Sequence, residues 1–185
     1  MVDRKFGESN IDGAIEELET RLATMQTDHF KRLIGAEFTN EPSLILTEIN
    51  NFISACQESF DVQVVYIEMN GFDINYDRWY FDLFGYAHYE DDLDDLEWLA
   101  DWQSDEWPEV TLTGMEMIQR DFEWYHTEKK WKDTRYGQTY EVAVLLVMTK
   151  FVALVRSALR SGELIKPIPV LATAHEFDSI GRFAP

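Results

Sequence analysis

One stretch constrains the fold more than any other. From Tyr140 to Leu159 the chain carries apolar side chains at helical spacing, and its centre, Val142 to Met148, is apolar on every side. A helix of that kind is buried over most of its surface, so the rest of the chain has to wrap around it. The continuous apolar run is too short to cross a bilayer, which makes it a core element. Lys150, Arg156 and Arg160 fall in its later part, where the helix dipole favours positive charge, and Gly162 ends it.

Other segments are patterned to cover this rod. Ile11, Ile15, Leu18, Leu22 and Met25 form the apolar face of a first helix, opened by Ser9 and Asp12 as a capping box. Asp28 starts a shorter segment holding Phe30, Leu33 and Ile34, with Gly35 as its stop. Asn40 and Pro42 open a second helix, with Leu44, Ile45, Ile49, Phe52, Ile53 and Cys56 on one face. Thr113 with Glu116 reads as a capping box before Met115, Ile118, Phe122 and Tyr125, a helix running to about Glu128. Lys129 to Arg135 reads as a basic, exposed turn.

Between these helices the period changes from 3.6 to 2. Asp61 to Met69 is β-rich, Asn70-Gly71 is a hairpin signal, and Phe72, Ile74 and Tyr76 alternate with polar residues as a second strand. Arg78 to Tyr86 is a third, with Gly85 placed for a bulge. Trp79, Phe81 and Phe84 are expected to pack on the helices. Val110 and Leu112 suggest a brief strand, and residues 166–178 an extended tail that adds an edge strand. The expected fold is α+β. N-terminal helices precede an antiparallel sheet of three to four strands (about residues 61–86 plus short strands), and two helices then pack on it, all in a single domain over residues 1–185.

The charge bears on function. Thirty-five Asp and Glu against 16 Lys and Arg give a formal charge of −19. A field of that sign repels phosphate backbones and anionic membranes and steers in basic proteins. Direct nucleic-acid or membrane binding is therefore not expected. Cys56, the only cysteine, allows no internal disulfide and reads as a small core hydrophobe. The first residues lack an apolar signal region, so a cytoplasmic location is expected.

The charge is concentrated. No Lys or Arg occurs between Arg78 and Arg120, and from His88 onward acids alternate with Leu and Trp. Leu93, Leu96 and Leu99 recur every third residue, as in a short helix or 3₁₀ turn. Trp98, Trp102 and Trp107 sit among carboxylates and cannot all be deeply buried without burying charge. The four histidines have no short ligand spacing and are expected to be surface or locally hydrogen-bonded. The acidic run lacks the glycine and spacing of a calcium loop, and no nucleophile elbow or phosphate loop occurs, so no metal or cofactor is expected.

These features point to a non-enzymatic domain that binds a basic protein, most concretely an immunity-type inhibitor covering the cationic site of a toxin or nuclease-like partner. Its expected contacts are Glu90, Asp91, Asp92, Asp94, Asp95, Trp98, Asp101, Trp102 and Asp105. One alternative is a small carboxylate-dependent hydrolase or ligand-binding enzyme using Asp73, Asp77 or Asp82. Another is a nucleic-acid mimic. A broad acidic face with exposed Trp favours a partner surface; converging carboxylates with one raised pKa favour an enzyme.

Overall fold

The computed structural model describes residues 5–6, 10–90, 97–177 and 180–184. In chain order these form β1 (Lys5–Phe6), α1 (Ile11–Ala23), α2 (Pro42–Gln57), β2 (Val64–Met69), β3 (Tyr80–Tyr86), β4 (Val110–Thr111), α3 (Glu116–Thr127), α4 (Thr134–Arg160), β5 (Val170–Ala174) and β6 (Ile180–Phe183). The fold is mixed α and β, as the change of period implies. The sheet differs from expectation. It has six strands in the order β1-β6-β5-β2-β3-β4, and it is mixed rather than antiparallel: β1 runs parallel to β6 and β2 parallel to β5.

Two local misreadings explain the difference. The tail does not add an edge strand; β5 lies between β2 and β6 in the middle of the sheet. Its residues Val170 to Ala174 are all buried, the pattern of a strand covered on both faces. Likewise, Asn70-Gly71 does not form a two-residue hairpin. Gly71 keeps a negative φ, and Ile74 and Asn75 both donate to its carbonyl, so residues 70–79 make a long turn. Packing decides this. Phe72 and Trp79 are fully buried with rings 5.6 Å apart, and Trp79 Nε1 donates to Phe72 O at 2.9 Å. Asn70 Oδ1 then accepts from Tyr80 N, and β3 pairs with β2 from Met69↔Phe81 to Val64↔Tyr86.

That register is unbroken, so Gly85 is not a bulge. It is a place of close approach: a Cβ there would meet Cys56 Sγ on α2 at 3.0 Å. Gly181 does the same for α4, because a Cβ there would collide with the Val152 side chain. Both contacts seat helices directly on one face of the sheet.

The apolar rod is α4, and it is long enough and apolar enough to span a bilayer, yet most of it is buried inside the protein against α1, α2 and the sheet. It begins earlier than the hydrophobic pattern because Asp133 caps it, accepting from Arg135 N at 3.0 Å. Lys150 and Arg156 do not sit on a solvated flank. Lys150 is buried, donating to Glu19 Oε1 at 2.6 Å and Ala36 O at 2.7 Å, and Arg156 pairs with Asp12.

The expected caps are replaced by tertiary bonds. Asp12 serves Arg156, Ser9 lies outside the described residues, and Asn40 bridges Thr111 O and Thr113 N instead of capping α2. Glu116 bonds Gly114 N rather than closing a box with Thr113. Leu44, placed on the α2 face by spacing, points to solvent.

Candidate acidic and aromatic binding face

The helices cover one face of the sheet, and strand alternation sets what the other face presents. Val65, Ile67 and Met69 of β2 and Phe81 and Leu83 of β3 enter the helix-side core. Tyr66 and Glu68 therefore point the other way, with Tyr80, Asp82, Phe84 and Tyr86. Phe84 was expected on the helices; its even position puts it on the open face, against Tyr66 and Trp102.

The register assembles a row of polar groups across this face. Thr173 on β5 pairs with Glu68 on β2, and Glu68 pairs with Asp82 on β3. Continuing the β3–β4 register from Phe81↔Val110 brings Glu109 beside Asp82. Directly opposed residues in antiparallel strands interact strongly, so three carboxylates are held close together. Glu68 accepts from Tyr66 Oη at 2.8 Å and lies 2.9 Å from His175 Nδ1, while Glu109 pairs with Arg78. Burial, with the Glu68 charge added, pushes the Tyr66 hydroxyl far up, so it stays a donor. Asp82 has no ion-pair partner among the described residues. Burial first, then the Glu109 and Glu68 charges, push its carboxyl up to about 6 against the opposing pull of Arg78.

Half of this face is roofed by the chain after β3. Gln103 N and Ser104 N donate to Gly85 O, Ser104 Oγ accepts from Gly85 N, and Tyr86 Oη donates to Leu99 O at 2.9 Å. Of the leucines whose spacing suggested a short helix or turn, Leu93 and Leu96 lie outside the described residues; Leu99 sits in a 3₁₀ turn at Glu97–Ala100, which places Trp98 5.1 Å from the Tyr86 ring and 5.9 Å from Tyr89. Trp102 packs edge-on against Phe84 and stays 50% exposed. The roof then crosses the β3 edge, and Trp107 packs on Phe52 of α2, on the helix side. Between the two Trp lies a cleft of about 550 Å³ along the β3 edge, reached by Asp82, Asp105, Glu106 and Glu109.

The expected contact residues divide accordingly. Trp102 and Asp105 line the cleft. Trp98 is half-buried under the roof, so it braces rather than presents. Glu90 is exposed and pairs with His88, and Asp101 is exposed at the end of the 3₁₀ turn; neither lines the cleft. Asp91, Asp92, Asp94 and Asp95 lie outside the described residues.

Of the carboxylates considered for an enzyme, only Asp82 sits on this face. Asp73 instead accepts from Tyr140 Oη at 2.8 Å, at the N-terminal part of α4, and Asp77 is exposed in the 70–79 turn. His126 Nε2 lies 3.2 Å from the same Tyr140 oxygen. The single hydroxyl proton serves Asp73, so His126 donates through Nε2. Burial pushes the His126 pKa down, which keeps the ring neutral. Burial also pushes the Cys56 thiol up to about 11, so it packs as an inert thiol. Among the described residues no group of three or more His, Cys, Asp or Glu side chains is placed to hold a metal ion.

The chain matches no protein-family model, no curated protein and no solved structure. The geometry alone carries the functional argument.

Glu68 and Glu109 escaped the sequence reading of the site. The signal was present in two alternations, Tyr66-x-Glu68 and Tyr80-x-Asp82-x-Phe84-x-Tyr86. Acids and aromatics on one parity of two adjacent strands mark a sheet face that no helix covers.

Proposed function

We propose that this chain is a non-enzymatic protein-binding domain that captures a basic protein partner on its open sheet face. The most concrete form is an immunity-type inhibitor acting in the cytoplasm on a basic toxin or nuclease-like protein. One observation carries the reading: the carboxylate row Glu68, Asp82 and Glu109 lies on a face left open by the helices and bordered by the half-exposed Trp102. Carboxylates of this density accelerate encounter with a cationic surface, and an exposed Trp over an aromatic floor supplies a hot spot that slows release. The test is affinity capture from the native cell at low salt with mass spectrometry, in parallel with Glu68→Gln/Asp82→Asn/Glu109→Gln. A basic protein retained by the native chain and lost with the triple variant supports the reading. The same captured set from both proteins refutes it.

A carboxylate-dependent hydrolase is the second reading, favoured by the Asp82 carboxyl at about 6 beside Glu68. Such a pair has the two environments that acid and base roles need. Turnover of chromogenic ester or glycoside substrates, lost on Asp82→Asn, is the outcome that would select it over partner capture.

A further inference from the structure

The cleft beside β3 has a feature that charge alone does not explain. Main-chain groups of alternate β3 residues point outward from the sheet at this edge. Trp79 O accepts from Leu112 N, and Gly85 O accepts from Gln103 N and Ser104 N. By the same alternation Leu83 presents its N–H and C=O outward. Its side chain is buried in the helix-side core, so Leu83 reaches the cleft through its main chain. The β3–β4 ladder ends at Phe81↔Val110, so no strand faces Leu83 at this edge, and its carbonyl has no main-chain donor among the described residues. Around it stand Asp82, which has no ion-pair partner among the described residues, the exposed acids Asp105 and Glu106, and the rings of Phe84 and Trp102.

This set asks for a ligand with several planar donors, a positive charge and an apolar stem. We propose that the cleft receives one arginine side chain of the basic partner, its guanidinium donating to Asp82 and to the Leu83 carbonyl and lying against Trp102. Arginine fits where lysine does not, because its flat fork bonds two acceptors at once and stacks on an aromatic ring. The inference rests on the basic-partner reading of the same face and names the group that the face recognises.

Two titrations test it. In the first, ethylguanidinium and its neutral isostere ethylurea are added to ¹⁵N-labelled protein. Ethylguanidinium is expected to shift the indole N–H of Trp102 and the amides of Leu83 and Phe84, ethylurea is not, and Asp82→Asn is expected to weaken the effect about tenfold, the loss of one charge-assisted hydrogen bond. Equal shifts from both ligands, or shifts that survive Asp82→Asn, overturn the proposal. In the second, decaarginine and decalysine peptides are compared at low salt. Preference for decaarginine that disappears in Asp82→Asn supports the arginine cleft. Equal affinity for both peptides, with the cleft resonances unmoved, overturns the cleft while leaving the acidic face as a partner surface. Binding of neither peptide overturns the basic-partner reading and the cleft with it. The Asp82→Asn variant keeps the size and shape of the residue, and its melting curve checks that it is folded.

Discussion

Asp82→Asn should make the protein more stable at neutral pH. The native carboxyl has a pKa of about 6 against 3.8 for the free side chain, because it is partly buried beside Glu109 and Glu68. A raised carboxyl pKa means that the folded state holds its proton more tightly than the unfolded state does. Between pH 3.8 and about 6 folding therefore takes up a proton, and stability falls as pH rises through that window. Above it the ionised Asp82 opposes folding. The full gap corresponds to about 3 kcal/mol, and partial exposure with solvent screening reduces this to roughly 1–2 kcal/mol. The amide keeps the shape of the side chain and cannot ionise. The variant should gain about 1–2 kcal/mol at pH 7, or roughly 2–8 °C in Tm for a chain of this size. The gain should shrink as pH is lowered through that window and vanish only well below pH 3.8, where the carboxyl is protonated in both states. Urea unfolding of both proteins from about pH 3 to pH 8 measures this directly. A variant that is no more stable at pH 7, or one whose gain is the same at every pH, refutes the electrostatic account. A stability penalty held at one surface carboxylate is also what a cation-binding site requires. A bound guanidinium lowers the Asp82 pKa, so partner capture near pH 6 should release a proton and tighten as pH rises.

Three further perturbations probe other parts of the structure. Trp102→Ala should leave stability within about 0.5 kcal/mol, as for an exposed residue, yet weaken partner binding by about 2 kcal/mol, measured by calorimetry on the captured partner. Lys150→Ala should cost about 2–3 kcal/mol in a denaturant titration, because it leaves the partly buried Glu19 with only the Gly35 N–H and removes a donor from the Ala36 carbonyl; pairing Lys150→Met with Glu19→Gln should restore much of that loss. Burial holds the His126 pKa below its ordinary 6.5, so the unfolded chain takes the proton first and stability should fall as pH drops below about 6.5. His126→Gln, whose amide can still donate to Tyr140, should flatten that part of the pH profile in a thermal melt.

What could be read from the sequence follows a physical division. Elements fixed by their own side chains were legible: the α4 rod from its all-round apolarity, the α1, α2 and α3 faces from their spacing, and β4 from the alternating Val110 and Leu112. Elements fixed by a distant partner were not. Phe72 and Trp79 lock to one another and to Phe122 of α3 at ring distances of 5.6–5.7 Å, and this overrides the local turn preference of Asn70-Gly71. Val170 to Ala174 reads as an edge strand until β2 and β6 are placed on either side of it. The site divides in the same way. Trp102 and Asp105 stood out because acid and Trp density is local, whereas Glu68, Asp82 and Glu109 belong to three separate segments and become one row only through the register. The Leu83 carbonyl carries the point furthest. It faces the cleft because the β3–β4 ladder ends at Phe81↔Val110 and the returning chain next bonds β3 only at Gly85, through Gln103 and Ser104, and no local pattern around Leu83 encodes that gap.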